Sequence, residues 1–240
     1  MIKTVFFSFI LISSLVLCQV NTESMRGNNQ SPGLTHNMSL DFSYFSGSVE
    51  IIQLMGSYKM YYLTNSNWYG FLAARYNRAF EKDKEDFSNR VFLHLRAARP
   101  ILSHIDIEGF IQKESNHFID LEDRELLGGG LRINQVGNLY WGIGIMHEME
   151  KYNNISQEQN FIKSTNYINY QVNVLEIIEL QNVMYYQFKL ENPEDYRIIW
   201  DGNLTIKASK GISFHINTQY RFDNNDDNYF EISNGFGFQF

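Results

Sequence analysis

The chain has 240 residues and a formal net charge of −7, with 27 acidic against 20 basic side chains. This acidic balance argues against nucleic acid as a partner. Phe and Tyr are abundant, with 19 and 15 residues, whereas Pro occurs three times. Such a composition suits a membrane β-barrel, because aromatic residues mark the membrane interfaces and proline interrupts strand ladders.

The chain opens with a sequence typical of a signal peptide, residues 1–18. Lys3 is its one charged residue, and the apolar run from Val5 to Leu17 is shorter than the roughly 20 residues of a transmembrane helix. We expect export and cleavage after Cys18. The alternative is a lipoprotein in which Cys18 carries the lipid, although Leu17 is bulky for such a site. Cleavage after Cys18 would leave a mature chain without cysteine or disulfides.

Residues 19–36 are polar and rich in Gly, Asn and Ser, which predicts a flexible periplasmic lead-in. From residue 37 to residue 240, apolar and polar side chains alternate with the period of a β-strand. The pattern predicts twelve strands, at 38–46, 50–63, 67–79, 90–100, 104–116, 125–135, 138–149, 163–174, 177–190, 195–208, 211–222 and 229–240. We therefore predict one all-β domain, a transmembrane antiparallel up-and-down β-barrel of about twelve strands, since closed single-chain bacterial barrels have even strand numbers.

The segment 211–222 shows the alternation most clearly. Phe214 and Ile216 fall on an apolar face, and Ser213 and His215 fall on a polar one. The apolar face is expected to meet lipid and the polar face the lumen. No segment after residue 18 is long and apolar enough for a membrane helix, so insertion has to occur by strands.

The predicted connections alternate between tight turns and longer polar loops, such as 80–89, 117–124 and 150–162. Short periplasmic turns and longer external loops are typical of outer-membrane barrels, and they place both termini in the periplasm. The last strand ends on Phe240, on its lipid face. We expect Phe240 to act as an assembly signal, with the barrel-assembly machinery and periplasmic chaperones as partners during biogenesis.

Five segments carry a family resemblance: FLHLR at 92–96, EGFIQ at 108–112, RELLGGGLR at 124–132, DYR at 195–197 and GFQF at 237–240. They resemble the salt-induced outer-membrane protein family, whose barrel domain has no known function. The segment QVNTE at 19–23 is similar to the Bacteroidetes-type members. The resemblance covers about residues 38–240. It implies an outer-membrane barrel, but it supplies no catalytic residue, ligand or cofactor.

The lumen-facing positions of the predicted strands hold nine basic and nine acidic candidates. The expected charge network comprises Arg75, His94, Arg96, Glu108, Arg132, Glu148, Arg197 and Asp201. Selective ion pores usually line their constriction with one sign of charge. Balanced signs instead predict cross-strand ion pairs that fill or narrow the lumen, with carboxylates such as Glu108 and Glu148 beside Arg96 and Arg132. A channel for small solutes is the alternative.

Other motifs give weak functional signals. The glycines at 128–130 precede no helix, so a phosphate loop is not expected; glycines in barrel walls usually relieve crowding. Ser213 and His215, with Asp201 or Glu231 as the orienting carboxylate, could imitate a hydrolase triad. Neither His147 with Glu148 nor the segment 223–228 has the spacing of a zinc or calcium site. We expect no catalytic, cofactor or metal site.

The sequence thus predicts a monomeric outer-membrane barrel, surrounded by lipid, that is not an enzyme. Its activity stays unresolved between a structural or envelope-stress role and a narrow pore for small solutes. Two alternatives are an outer-membrane hydrolase that acts on lipid and a surface-binding barrel that uses acidic external loops.

Overall fold

The structure is a computed structural model that describes residues 22–26, 31–46, 50–81, 86–117, 120–134, 137–153, 157–224 and 228–239. These residues form a closed antiparallel barrel in which each strand pairs with its neighbours in sequence and β1 pairs with β12. The strands are β1 (Gly33–Ser46), β2 (Glu50–Leu63), β3 (Tyr69–Glu81), β4 (Asp86–Leu102), β5 (Ile105–Asn116), β6 (Leu121–Asn134), β7 (Leu139–Tyr152), β8 (Gln159–Leu175), β9 (Ile178–Lys189), β10 (Tyr196–Ser209), β11 (Ile212–Asp223) and β12 (Tyr229–Gln239). The predicted fold class is confirmed.

The two faces of the barrel wall are inverted relative to those of a soluble protein. On β4, Leu93 and Leu95 are 47% and 48% exposed, whereas His94 and Arg96 are 0% and 3% exposed. Apolar side chains therefore face outward and polar ones face the lumen. This arrangement suits a wall in contact with lipid. None of the helices in the described ranges is long and apolar enough to cross a membrane.

Aromatic side chains lie on the outer wall towards both ends of the strands. Near the ends joined by the longer loops, the ring of Tyr196 contacts the rings of Tyr186 and Phe222 on the two neighbouring strands. Near the opposite end, Trp68 is exposed and the guanidinium of Arg99 lies 5.2 Å from its ring centroid. Amphipathic rings at these two levels match the aromatic girdles of membrane barrels.

Several strands extend further than the sequence predicts. β4 begins at Asp86 and β8 begins at Gln159, so the loops expected at 80–89 and 150–162 are shorter. β1 likewise begins at Gly33 rather than 38. At the loop end, the extensions carry exposed ion pairs, such as Lys113 Nζ to Asp123 Oδ2 at 2.8 Å. Backbone pairing between strands therefore continues beyond the apolar, lipid-facing part of the wall. In these extensions the sequence no longer alternates between apolar and polar residues, so the alternation does not predict them.

Among the residues that the structure describes, the seam between β1 and β12 has the shortest ladder of the barrel. It runs from Asn37 opposite Gln239 to Leu40 opposite Phe236, whereas β1 pairs with β2 along the whole of Gly33–Ser46. Just beyond this ladder, the imidazole of His215 on β11 reaches across β12 to Asp41 on β1. The distance from His215 Nε2 to Asp41 Oδ1 is 3.1 Å.

Two arginine substitutions on the outer wall test which part of the strands contacts the hydrocarbon core of the membrane. Ile145 lies midway along β7 and is 60% exposed, so Ile145→Arg should cost about 2–4 kcal/mol in a bilayer. Glu122 lies near the loop end, where it already pairs with Lys151, so Glu122→Arg should cost about 0–1 kcal/mol. Unfolding titrations in lipid vesicles measure both values. Equal costs at the two positions would contradict the placement of the band.

Candidate functional site in the barrel lumen

Residues 22–26 lie inside the barrel. Glu23–Met25 form a single 3₁₀ turn, and Thr22, Glu23 and Met25 are at most 5% exposed. The expectation of a flexible lead-in over residues 19–36 does not anticipate this buried turn. We call residues 22–26 the lumenal segment.

The carboxylate of Glu23 is the centre of the lumenal segment. Arg96 Nη1 on β4 lies 3.0 Å from Glu23 Oε2, and Arg132 Nε on β6 lies 3.1 Å from Glu23 Oε1. Asn169 Nδ2 on β8 donates to Glu23 Oε1 at 3.2 Å, and Arg26 Nε lies 3.0 Å from Glu23 Oε2. Each carboxylate oxygen thus has two donors, so this fully buried charge is compensated.

The electrostatics of Glu23 follow from this cage. Burial raises the pKa of its carboxyl, but Arg26, Arg132 and Arg96 outweigh that effect and lower the pKa to about 2 from an ordinary value of 4.5. A depressed pKa means that Glu23 stabilises the fold fully above its unfolded pKa. This contribution is lost as the pH falls from that value through about 2.

A second carboxylate, Glu108 on β5, joins the wall to the lumenal segment. Arg26 forms an ion pair with it, and Arg96 Nη1 lies 3.3 Å from Glu108 Oε1. Tyr167 Oη on β8 donates to Glu108 Oε1 at 3.0 Å. The predicted pairing of Arg96 with Glu108 is therefore present. Arg132 takes Glu23 and Asp106 as its carboxylate partners, rather than Glu148.

The opposite side of the lumenal segment is apolar. Met25 packs with a buried cluster from β2, β3 and β4 that includes Tyr61, Phe71 and Phe92. Tyr61 Oη donates to the carbonyl oxygen of Met25 at 2.7 Å. The segment also contacts β10, because Ser24 Oγ donates to Asp201 Oδ2 at 3.3 Å. Contacts with β2, β6 and β10 mean that the segment bridges the lumen rather than lining one wall.

A second charge cluster lies nearer the loop end, centred on the fully buried Arg124 of β6. Its guanidinium lies 3.2 Å from Glu148 Oε1 and 2.8 Å from Glu150 Oε1 through Nε, and 3.7 Å from Glu114 Oε2 through Nη1. Lys163 Nζ lies 2.5 Å from Glu148 Oε2. Glu148 thus belongs to this cluster. Arg124 was absent from the predicted network because the strand was expected to begin at residue 125.

The remaining predicted network residues have different surroundings. Arg197 pairs with Asp223 at 2.8 Å, and Asp201 accepts a hydrogen bond from Gln219 at 2.8 Å. His94 shares a 3.3 Å hydrogen bond with Gln112 and lies among aromatic rings, and Arg75 lies on β3 opposite Ser57 and Phe92. Phe240 lies outside the described residues. The structure therefore brings Arg96, Glu108 and Arg132 together around Glu23, and Asp201 contacts the same segment through Ser24. Glu148 belongs to the cluster around Arg124.

The glycines at 128–130 lie where β5, β6 and β7 approach closely. A Cβ on Gly130 would collide with the carbonyl oxygen of Ile143, and one on Gly128 would lie 2.8 Å from the Cβ of Met146. On β7, the space that a Gly142 side chain would need is filled by the ring of Tyr167. These glycines relieve crowding in the wall, as the sequence predicts.

Ser213 and His215 both border Gly237 on the lumenal side of β11. A Cβ on Gly237 would lie 2.7 Å from Ser213 Oγ and 3.7 Å from His215 Nδ1. The carboxylate beside His215 is that of Asp41, with 3.1 Å between Nε2 and Oδ1, whereas the predicted Asp201 accepts from Gln219. The side chain of Glu231 lies outside the described part of the structure. In the described ranges, no group of three or more His, Cys, Asp or Glu residues is placed to hold a metal ion.

A small cavity of about 30 Å³ adjoins the lumenal segment. Thr22, Arg96, Gln112, Tyr185 and Gln187 are among the residues that line it. Gln112 Nε2 and Gln187 Oε1 are buried and have no hydrogen-bond partner among the residues that the structure describes. The space is large enough for water, which would satisfy these groups.

Replacing Arg124 should show how much the ion pairs in the lumen contribute to the free energy of unfolding. Arg124→Ala leaves Glu148 and Glu150 with reduced compensation, and losing one partner of a buried pair costs about 3–5 kcal/mol. The control is Lys113→Ala on the neighbouring strand, which removes two ion pairs of an exposed side chain and should cost about 0–1 kcal/mol. Urea unfolding in detergent or vesicles compares them. A similar loss in both variants would contradict a tightly paired lumen.

Solved structures with a similar fold are outer-membrane proteins. The translocator domain of the autotransporter NalP from Neisseria meningitidis has a TM-score of 0.55 at 12% identity, covering 91% of this chain and 92% of that one. The NanC porin has a TM-score of 0.50 at 13% identity, covering 85% of this chain and 97% of the porin. At such low identity, these similarities concern the fold alone.

Sequence comparison gives the family. No protein with a curated description matches the chain. Residues 38–234 match the family described as protein of unknown function, DUF481. Because the match spans most of the barrel, the chain belongs to the DUF481 family.

Proposed function

We propose that this protein is a monomeric outer-membrane barrel that its own lumenal segment holds closed. The apolar outer wall, its aromatic girdles and the fold shared with outer-membrane proteins support this location. Export would begin with the signal peptide at residues 1–18. Cleavage after Cys18 would leave the lumenal segment close to the mature N-terminus.

The proposal rests on the burial of Glu23 between arginines of β4 and β6, while its neighbours in the segment contact strands farther around the wall. Arg96 belongs to β4 and Arg132 to β6, while Ser24 and Met25 reach β10 and the cluster on β2–β4. A segment fixed at so many points around the lumen leaves little cross-section for solutes. The cluster around Arg124 narrows the passage again towards the loop end.

Within this proposal, the resting protein has a structural or envelope-stress role. The resemblance to the salt-induced outer-membrane family, including its Bacteroidetes-type members, supports that role. No catalytic step is assigned to it, and the hydrolase and surface-binding readings are less well supported. In particular, β4 and β8 extend into the loops expected at 80–89 and 150–162, which leaves less loop for an acidic binding surface.

A narrow pore is the second candidate, because the lumenal segment is not a strand of the wall. Its residues take no part in the barrel's ladders, and the cavity beside it has unpaired polar groups. Displacement of the segment would join this cavity to the space on the periplasmic side. The protein would then pass small solutes only in the displaced state.

Conductance separates the two states. The intact mature protein should show little or no conductance in planar bilayers, and deletion of residues 22–26 should raise it several-fold because the segment bridges the lumen. Glu122→Ala, which alters only an exposed ion pair, serves as the control and should stay closed. A large steady conductance of the intact protein would contradict the closed barrel.

The proposed location and assembly route are tested at the C-terminus. Phe240→Asp should lower the amount of protein in the outer membrane and increase periplasmic degradation, because the assembly machinery would no longer read a terminal aromatic residue. Phe240→Tyr keeps the ring and should assemble normally. Membrane fractionation and immunoblotting measure both. Normal outer-membrane levels of Phe240→Asp would count against the assembly signal.

A further inference from the structure

Three of the four side chains that donate to Glu23 belong to the wall and form a site that exists without it. Arg96, Arg132 and Asn169 belong to three strands of the wall and are 3%, 11% and 2% exposed. Glu23 instead belongs to a segment outside the barrel ladders. The wall therefore supplies two guanidinium groups and an amide for one carboxylate, whatever molecule carries that carboxylate.

Arg132 depends on Glu23 for its close carboxylate partner. Without the lumenal segment, Arg96 would keep the carboxylate of Glu108 as a partner at 3.3 Å. Among the described residues, Arg132 would keep the carboxylate of Asp106, at 3.9 Å. Arg132 would then be a poorly compensated cation that also stacks on the ring of Tyr140. Such a group attracts an anion from solution.

The lumenal segment presents hydroxyl groups on both sides of its carboxylate. Thr22 Oγ1 accepts a hydrogen bond from Arg96 Nη2 at 2.7 Å, and Ser24 Oγ donates to Asp201 Oδ2 at 3.3 Å. The wall thus recognises a carboxylate flanked by hydroxyls. This is the chemistry of a sugar acid.

We propose that Arg96, Arg132 and Asn169 form a binding site for a hydroxylated carboxylate, such as a uronic acid, and that Glu23 occupies this site as an internal ligand. This inference rests on the proposed function, in which the lumenal segment closes the barrel. An acidic sugar that competes with Glu23 would release the segment, so the protein would respond to the solute it admits.

Binding to a variant without the internal carboxylate tests this site. Glu23→Ala in the full-length protein should bind D-glucuronate, measured by calorimetry and by the rise in Tm, but not D-glucose, which has hydroxyls and no carboxylate. The intact protein should bind glucuronate at least about tenfold more weakly, because Glu23 competes. Adding Arg132→Ala to Glu23→Ala should weaken binding by about tenfold or more.

Controls make each outcome decisive. Glu122→Ala, which changes the exposed outer rim, should behave as the intact protein does. If Glu23→Ala does not fold, glucuronate but not glucose should restore its folding in vesicles, detected by gel mobility. Equal effects of the two sugars, or binding that Arg132→Ala does not change, would overturn the site. That result is separate from the conductance of the intact protein, which tests closure alone.

Discussion

The hydrocarbon core of a bilayer offers no water to backbone amides and carbonyls, so a spanning chain has to pair these groups within itself. A ring of antiparallel strands meets this requirement, and it also fixes where each side chain points. Leu93 and Leu95 then face lipid because His94 and Arg96 face inward. The inverted distribution of polarity follows directly from closure of the ring.

Closure confines many charges to a narrow interior, where an uncompensated charge is costly. Near the loop end, the strand register itself brings opposite charges together. Arg124 on β6 lies opposite Glu114 on β5 and opposite Glu150 on β7. Around Arg96 and Arg132, the strands supply Glu108 and Asp106, but Asp106 lies 3.9 Å from Arg132. Glu23 gives both arginines a partner within 3.1 Å, so the segment before β1 belongs to the electrostatics of the wall.

The sequence predicts the structure well wherever apolar and polar residues alternate with the period of two of a β-strand. It predicted the strand number, the crowding at Gly130 and the pair between Arg96 and Glu108. It failed where hydropathy stopped alternating. Arg124 was missed because the strand continues into polar sequence, and Glu23 because no local pattern marks a turn that is stabilised only by contacts with distant strands. Such contacts between residues far apart in sequence form only when the barrel closes, so no local sequence pattern predicts them.

The short seam gives the barrel a preferred place of opening. β1 is bound to β2 along its whole length and β12 to β11 from Tyr229 to Phe238, yet among the described residues β1 and β12 pair only from Asn37 to Leu40. Local opening begins where few backbone bonds have to break. The two edges are also the most distant strands in sequence, so their closure carries a large loop entropy and is expected to come last in folding. Thermal or mechanical stress should therefore part this wall sideways, between β1 and β12, before any other strand pair separates.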